Sequence, residues 1–165
     1  MAKRTDASAG TPATLALARA GITFTAHAYA HDPRAAEFGL EAAEKLGLDP
    51  DRVFKTLLAN VDGGLAVGIV PVTQLLDLKA LAQALGAKRA EMADPAVAER
   101  KTGYVVGGIS PIGQKAALPT VLDESAILAE TIFVSGGRRG LDLELAPDDL
   151  IAVTGGRYAP IARAR

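Results

Sequence analysis

Residues 54–70 read FKTLLANVDGGLAVGIV. Two apolar runs, Phe54 to Val61 and Leu65 to Val70, flank Asp62-Gly63-Gly64. Asp-Gly between apolar runs is the strongest short-range signal for an antiparallel hairpin. On its N-terminal side, Ile22 to Tyr29 alternates, with Ile22, Phe24, Ala26 and Ala28 on one face and Thr23, Thr25, His27 and Tyr29 on the other. On its C-terminal side, Tyr104-Val105-Val106, Thr120-Val121-Leu122 and Thr131 to Val134 supply further strands, and Gly136 to Gly140 makes a second tight turn into Leu141 to Leu145.

The helices declare themselves through their ends. Thr11-Pro12 opens one that Gly21 closes; Leu40 to Leu46 forms a second that ends at Gly47. Asp77 caps a third, whose Leu78, Leu81, Ala82 and Leu85 lay one apolar stripe before Gly86. Asp94-Pro95 starts a fourth, stopped by Gly103, and a fifth follows Pro147 and ends at Gly155. Strands, hairpins and helices interleaved irregularly predict an α+β fold with a mixed, strongly curved sheet. Residues 1–10 read as a disordered tail and residues 11–162 as one domain.

A chain of 165 residues suits one domain whose core needs neither disulfide nor metal. With no cysteine, there is no protein thiol nucleophile and no Cys-ligated zinc or iron–sulfur cluster. His27 and His31 are four apart, but the strand-like run before them and Pro33 after them argue against a helical ligand pair, so no metal or other cofactor is expected. Every apolar run is broken well before the roughly 18 residues of a membrane span, and Met1 to Asp6 lacks the apolar stretch of a signal peptide. A cytoplasmic protein is expected. A net charge of −1 does not announce a nucleic-acid binder, although Lys88-Arg89, Arg100-Lys101 and Arg138-Arg139 offer cations for a local patch.

Three segments depart from plain structural pattern. Strand alternation puts Lys55 on the face of Leu57, Ala59 and Val61, which looks inward, where an ammonium is costly unless paired or functional. Pattern alone leaves equal room for a strand-end lysine whose stem is buried and whose head reaches water. Val106 to Gly113 (VGGISPIG) lets backbone N–H groups approach an anion or a developing oxyanion, stiffened by Pro111; unaided, it reads as an ordinary glycine-rich turn. Ser135 to Asp142 (SGGRRGLD) sets three glycines around two arginines and places Ser135 and Asp142 to face each other across two strands. No Ser-His-Asp set or paired-carboxylate arrangement can be assembled from these residues.

His31-Asp32-Pro33, Phe38 to Ala43 (FGLEAA), Arg52 to Leu57 (RVFKTL), Gly103 to Pro111 (GYVVGGISP) and Val134 to Gly140 (VSGGRRG) follow in that order and spacing. Together they closely resemble the YbaK/EbsC family of bacterial Cys-tRNA(Pro) deacylases, relatives of the editing domain inserted in bacterial prolyl-tRNA synthetases. The resemblance spans roughly Thr11 to Ala162 and implies a barrel-like mixed sheet with helices around it. It implies Lys55 as the central site lysine and Gly107 with Pro111 as the loop over the scissile ester, all three catalytic, with Gly108, Ile109 and Ser110 between them binding substrate. Tyr29, Ser135 and Asp142 would line the aminoacyl pocket. It further implies editing of mischarged tRNA(Pro), by attack of the cysteinyl thiol on its own carbonyl, and a transient complex with prolyl-tRNA synthetase.

Two other readings stay open on the sequence. One is a deacylase for Ala-tRNA(Pro) or Ser-tRNA that uses water; the other is a non-catalytic module that binds aminoacyl-tRNA or a synthetase without turnover. If Lys55 serves the site and not mainly the fold, Lys55→Ala abolishes most deacylation and leaves the melting temperature near that of the parent. A variant that melts far earlier yet keeps full activity when folded reverses the assignment.

Overall fold

The computed structural model describes residues 10–165, so the expected tail lies outside the described residues except for Gly10. The hairpin forms as read. Strand β2 (Phe54–Val61) pairs antiparallel with β3 (Gly64–Pro71), from Phe54↔Pro71 to Val61↔Gly64. The loop contracts to Asp62 and Gly63, whose φ values of 49° and 88° give the primed turn that matches strand twist. The Asp62 carboxylate also accepts from the backbone N–H groups of Lys88 and Arg89, both at 2.9 Å, which docks the short β5 (Ala90–Met92) against β2.

Strands β6 (Thr120–Asp123) and β9 (Arg157–Ala159) extend the sheet in parallel, giving a mixed five-stranded order β5-β2-β3-β6-β9. A three-stranded antiparallel sheet holds β1 (Thr25–Ala28), β8 (Leu141–Leu145) and β7 (Ile132–Ser135) in the order β1-β8-β7. A third pairs β4 (Gln74–Leu76) with β10 (Ala162–Ala164). The α+β class and the mixed pairing stand, but the single, strongly curved, barrel-like sheet is corrected to three sheets that do not close. Among the described residues one isolated bridge, Val53↔Phe133, links the five- and three-stranded sheets. The tight Pro50–Arg52 turn just before β2 stops that pairing from propagating.

The apolar runs of β2 and β3 are near-continuous because both faces are covered. Phe54 and Leu58 enter one core with Phe24, Ile132 and Leu143, while Ala59 enters a second with Val70, Leu81 and Ile161. Helices α1 (Pro12–Ala20), α2 (Phe38–Leu46), α3 (Leu78–Ala84), α4 (Pro95–Thr102) and α5 (Pro147–Thr154) pack around them. Thr11 and Thr14 bond reciprocally at the start of α1, and the carboxylates of Asp77 and Asp94 cap α3 and α4.

Tyr104 to Val106 is not a strand. Its polar groups go elsewhere: the Tyr104 hydroxyl donates to the Ile112 carbonyl at 2.7 Å, and the Val106 N–H donates to Glu99 Oε2 at 2.8 Å. Past the expected limit at Ala162 the chain remains in the fold, through β10 and through an Arg165 guanidinium that donates to the Val72 carbonyl. Strands β4, β5, β9 and β10, three residues each, are too short to show alternation in sequence.

Asp123 fastens the C-terminal end. Its buried carboxylate accepts from the N–H groups of Ile161 and Ala162, each at 3.0 Å, and from Ser125. Asp123→Ala orphans three backbone donors, those of Ser125, Ile161 and Ala162, at a cost of about 3 kcal/mol. Thermal unfolding is expected roughly 10 °C below that of the parent; a shift within a degree or two means that water replaces the carboxylate.

Candidate active site

Between the start of α2, the middle of β2 and the segment from Val106 to Ile109 lies a cavity of about 350 Å³. That volume is at the small end of ligand sites. Most of its wall is apolar, with Leu57, Leu58, Val72 and Met92 among the lining residues. Six of the residues singled out in sequence line it together: Tyr29, Lys55, Gly107, Ile109, Ser135 and Asp142. Gly108, Ser110 and Pro111 are buried behind it instead. Ser110 turns its hydroxyl inward to accept from the Ile112 N–H, and its carbonyl accepts from Gln114.

Lys55 is half-buried, in register with Val70, and makes no hydrogen bond or ion pair among the described residues. Burial holds its pKa below the ordinary lysine value; the nearby Arg165 adds to that and Glu37 opposes it. Ser135 and Asp142 face each other in the β7–β8 ladder, as their positions in sequence suggest. Asp142 is only 6% exposed and its carboxylate has no hydrogen-bond partner among the described residues. Burial pushes it up to about 7. Tyr29 beside it is pushed up to about 12, by burial and then by the Asp142 charge. No ion pair joins Lys55 to Asp142 among the described residues, so the cavity holds an amine and a carboxyl group that do not satisfy each other.

The loop between α4 and Gly113 owes its shape to a turn. The Gly108 N–H donates to the Val105 carbonyl at 2.8 Å, and Gly107 takes φ 91°, which a side chain rarely tolerates. Negative φ at Val106 with positive φ at Gly107 makes this a type II turn. A Cβ on Gly107 would stand 2.7 Å from Arg139 Nε and 3.0 Å from the Phe38 ring, so the neighbouring side chains as well as the positive φ disfavour it. A Cβ on Gly108 would meet the Arg138 backbone at 2.8 Å. The two glycine-rich segments therefore pack main chain against main chain.

Sequence reasoning missed two lining residues. Phe38 lies under the Arg139 guanidinium, 5.0 Å from its ring centroid, and Thr56 has a buried hydroxyl without a hydrogen-bond partner among the described residues. Both stand inside segments already quoted, but only the fold turns them toward one space. His27 and His31 lie off the cavity wall and bond to Glu144 and Glu41 respectively. Among the described residues no three His, Asp or Glu side chains gather as for a metal ion, and no helix is long and apolar enough to cross a membrane.

Residues 33–153 match the model of the aminoacyl-tRNA editing domain. The chain belongs to that family. Within it, this editing domain is 43% identical over 135 residues to an Enterococcus faecalis protein named "Putative Cys-tRNA(Pro)/Cys-tRNA(Cys) deacylase EbsC", covering 81% of one chain and 80% of the other. A stretch of 100 residues is 31% identical to a proline–tRNA ligase of Maridesulfovibrio salexigens, 61% of this chain but only 17% of that enzyme. Among solved structures, "a putative trans-editing enzyme for prolyl tRNA synthetase" superposes with a TM-score of 0.81 at 25% identity, over 93% of this chain and 96% of the other. These likenesses place the editing domain in the YbaK/EbsC group.

The Asp142 carboxyl gives this editing domain a pH signature. Its folded value of about 7 exceeds the ordinary 3.8, so between those values the folded state keeps a proton that the unfolded chain has lost. The group's favourable contribution is full below about pH 4 and disappears as pH rises through about 7. Asp142→Asn is therefore expected to match the parent in stability near pH 4 and to exceed it by roughly 4 kcal/mol at pH 8. Denaturant unfolding at the two pH values checks this; a gap that does not change with pH refutes it.

Proposed function

We propose that this editing domain is an aminoacyl-tRNA deacylase acting on Cys-tRNA(Pro), and that the cysteinyl thiol of the substrate is the nucleophile. The observation that carries the reading is a lysine and a buried aspartic acid that line one small, mostly apolar cavity without pairing with each other. An aminoacyl ester presents a cationic α-ammonium at one end and, at the other, an ester carbonyl joined to a ribose and its phosphate. Asp142 is placed to hold the ammonium, whose arrival favours the ionised carboxylate, with Tyr29 and Ser135 beside it. Lys55 faces the ester and ribose end. The Gly107 N–H, which has no acceptor among the described residues, is a donor for the oxyanion.

In this reaction the sulfur of the substrate forms a bond to its own carbonyl carbon, and the tetrahedral oxyanion collapses with loss of the ribose oxygen. That oxygen takes up the proton that the thiol gives up and tRNA leaves, while the amino acid departs as a cyclic thiolactone that water opens. Aligned intramolecular attack is worth effective molarities on the order of 10⁵ M. The ester is activated, so a chain without cysteine or a serine triad suffices. The E. faecalis relative's name covers two tRNAs and one amino acid, which suits a cavity that reads only the aminoacyl end. Selection of tRNA(Pro) then falls to a transient complex with prolyl-tRNA synthetase.

Cys-tRNA(Pro) is expected to be cleaved at least 100-fold faster than Ser-tRNA(Pro), whose hydroxyl is of similar size and far less nucleophilic near neutral pH. Single-turnover deacylation of both esters measures the ratio. Comparable rates sink the thiol mechanism in favour of a water activated by the protein, and binding without turnover of either ester leaves a non-catalytic module.

A further inference from the structure

We propose, on the reading of the site just given, that Arg139 is a positioning residue that locks the Val106–Gly107 peptide and thereby aims the Gly107 N–H. Its guanidinium donates through Nε and Nη2 to the Val106 carbonyl, at 3.0 and 2.6 Å, and lies over the Phe38 ring. Glu99 holds the other side of the same residue by accepting from the Val106 N–H at 2.8 Å. A peptide unit is planar and trans, so the carbonyl of Val106 and the N–H of Gly107 point in opposite directions. Whatever fixes the carbonyl fixes the N–H.

Turn geometry makes this a real choice. Types I and II differ mainly by a flip of their central peptide, and a glycine at the third position accepts either. The central peptide here is Val106–Gly107, with Gly107 in the type II conformation. The turn's own hydrogen bond, from the Gly108 N–H to the Val105 carbonyl, survives in both types and does not select between them. The two bonds from Arg139 to the Val106 carbonyl do select, because a flip would carry that carbonyl away from the guanidinium. Arg139 itself is held by Phe38 and by the backbone contact of Gly108 with its neighbour Arg138. Arg138 is exposed and its side chain makes no hydrogen bond or ion pair among the described residues, so adjacent arginines have separate parts.

The test compares Arg139→Ala, Arg139→Lys and Arg138→Ala by two measurements. The first follows the Gly107 amide of the free protein by ¹H–¹⁵N NMR and hydrogen exchange, and does not depend on what the substrate is. Arg139→Ala is expected to shift and broaden that amide, with partial recovery in Arg139→Lys, which keeps one donor, and no change in Arg138→Ala. The second is deacylation of Cys-tRNA(Pro): Arg139→Ala is expected to lower kcat at least 10-fold with KM within about twofold, since a misaimed oxyanion donor loses part of the 10²–10³ that one donor supplies. An unmoved Gly107 amide overturns the lock, whatever the rates. A moved amide with an unchanged kcat overturns its part in the reaction. If the parent cleaves no aminoacyl-tRNA, the function proposed above fails, and the amide measurement still decides the lock. Should Arg139→Ala fold poorly, Arg139→Lys supplies both readouts, and an unchanged amide together with an unchanged kcat in it counts against the proposal.

Discussion

Two glycine-rich segments, far apart in sequence, touch with no side chain between them, and the site depends on that approach. Gly108 lies against the backbone of Arg138, and any Cβ there would sit inside the contact distance of main-chain atoms. The turn between β7 and β8 is in turn tied to the start of α1, where the Thr11 hydroxyl donates to the Gly136 carbonyl. Backbone cannot move aside as a flexible side chain does, so these positions tolerate almost no substitution. The approach brings Arg139 within reach of Val106, puts Gly107 at the cavity, and sets Ser135 and Asp142 on the adjoining wall. One packing constraint thus positions both groups that the proposed reaction uses, the Gly107 N–H for the oxyanion and Asp142 for the ammonium.

A cavity that leaves Asp142 and Lys55 unpaired works against the stability of the domain. Burial disfavours the ionised form of each, raising one pKa and lowering the other. A fold selected for stability alone would place them in contact or replace them with apolar residues of similar volume. Here they remain separate, in walls that are mostly apolar. Among the described residues the other buried side-chain oxygen without a partner is the Thr56 hydroxyl of the same cavity; buried polar side chains elsewhere are satisfied. Asp123, for instance, is as buried as Asp142, yet its oxygens accept from Ile161, Ala162 and Ser125. That difference between two equally buried aspartates is the basis on which we propose one as structural and the other as a ligand-binding group.

The parts of this architecture that sequence made legible are those governed by local chemistry. Thr11-Pro12, Asp77 and Asp94-Pro95 cap helices because a side-chain oxygen meets N–H groups two or three residues ahead, and Asp62-Gly63 turns because both residues accept positive φ. The distribution of strands among three sheets was not legible, since it is set by pairings between strands far apart in sequence, such as β1 with β8 and β4 with β10. Tyr104 to Val106 has strand-like composition, but Glu99, Ile112 and Arg139 take its polar groups, and no local pattern records such partners. In the site, motif spacing identified Lys55, Gly107 and Asp142. It did not reveal that Ser110 and Pro111 shape the loop from behind, or that Phe38 and Thr56 complete the wall.

In the deacylation we propose, the division of work between the cavity and the tRNA follows from size and charge. About 350 Å³ admits an aminoacyl group and part of a ribose, and the groups that line it address an ammonium, an ester and a small side chain. None of them distinguishes one acceptor stem from another. A chain of net charge −1 also gains little from the phosphate backbone, where affinity grows with the number of cations that displace counterions. Specificity for the amino acid and specificity for the tRNA therefore have different physical origins. The first is built into the cavity through nucleophile, charge and volume; the second must be brought by whatever presents the 3′ end. A thiol supplied by the substrate sharpens that division, because the cavity then accelerates the reaction of a ligand that carries its own nucleophile and can hold other small esters without cleaving them.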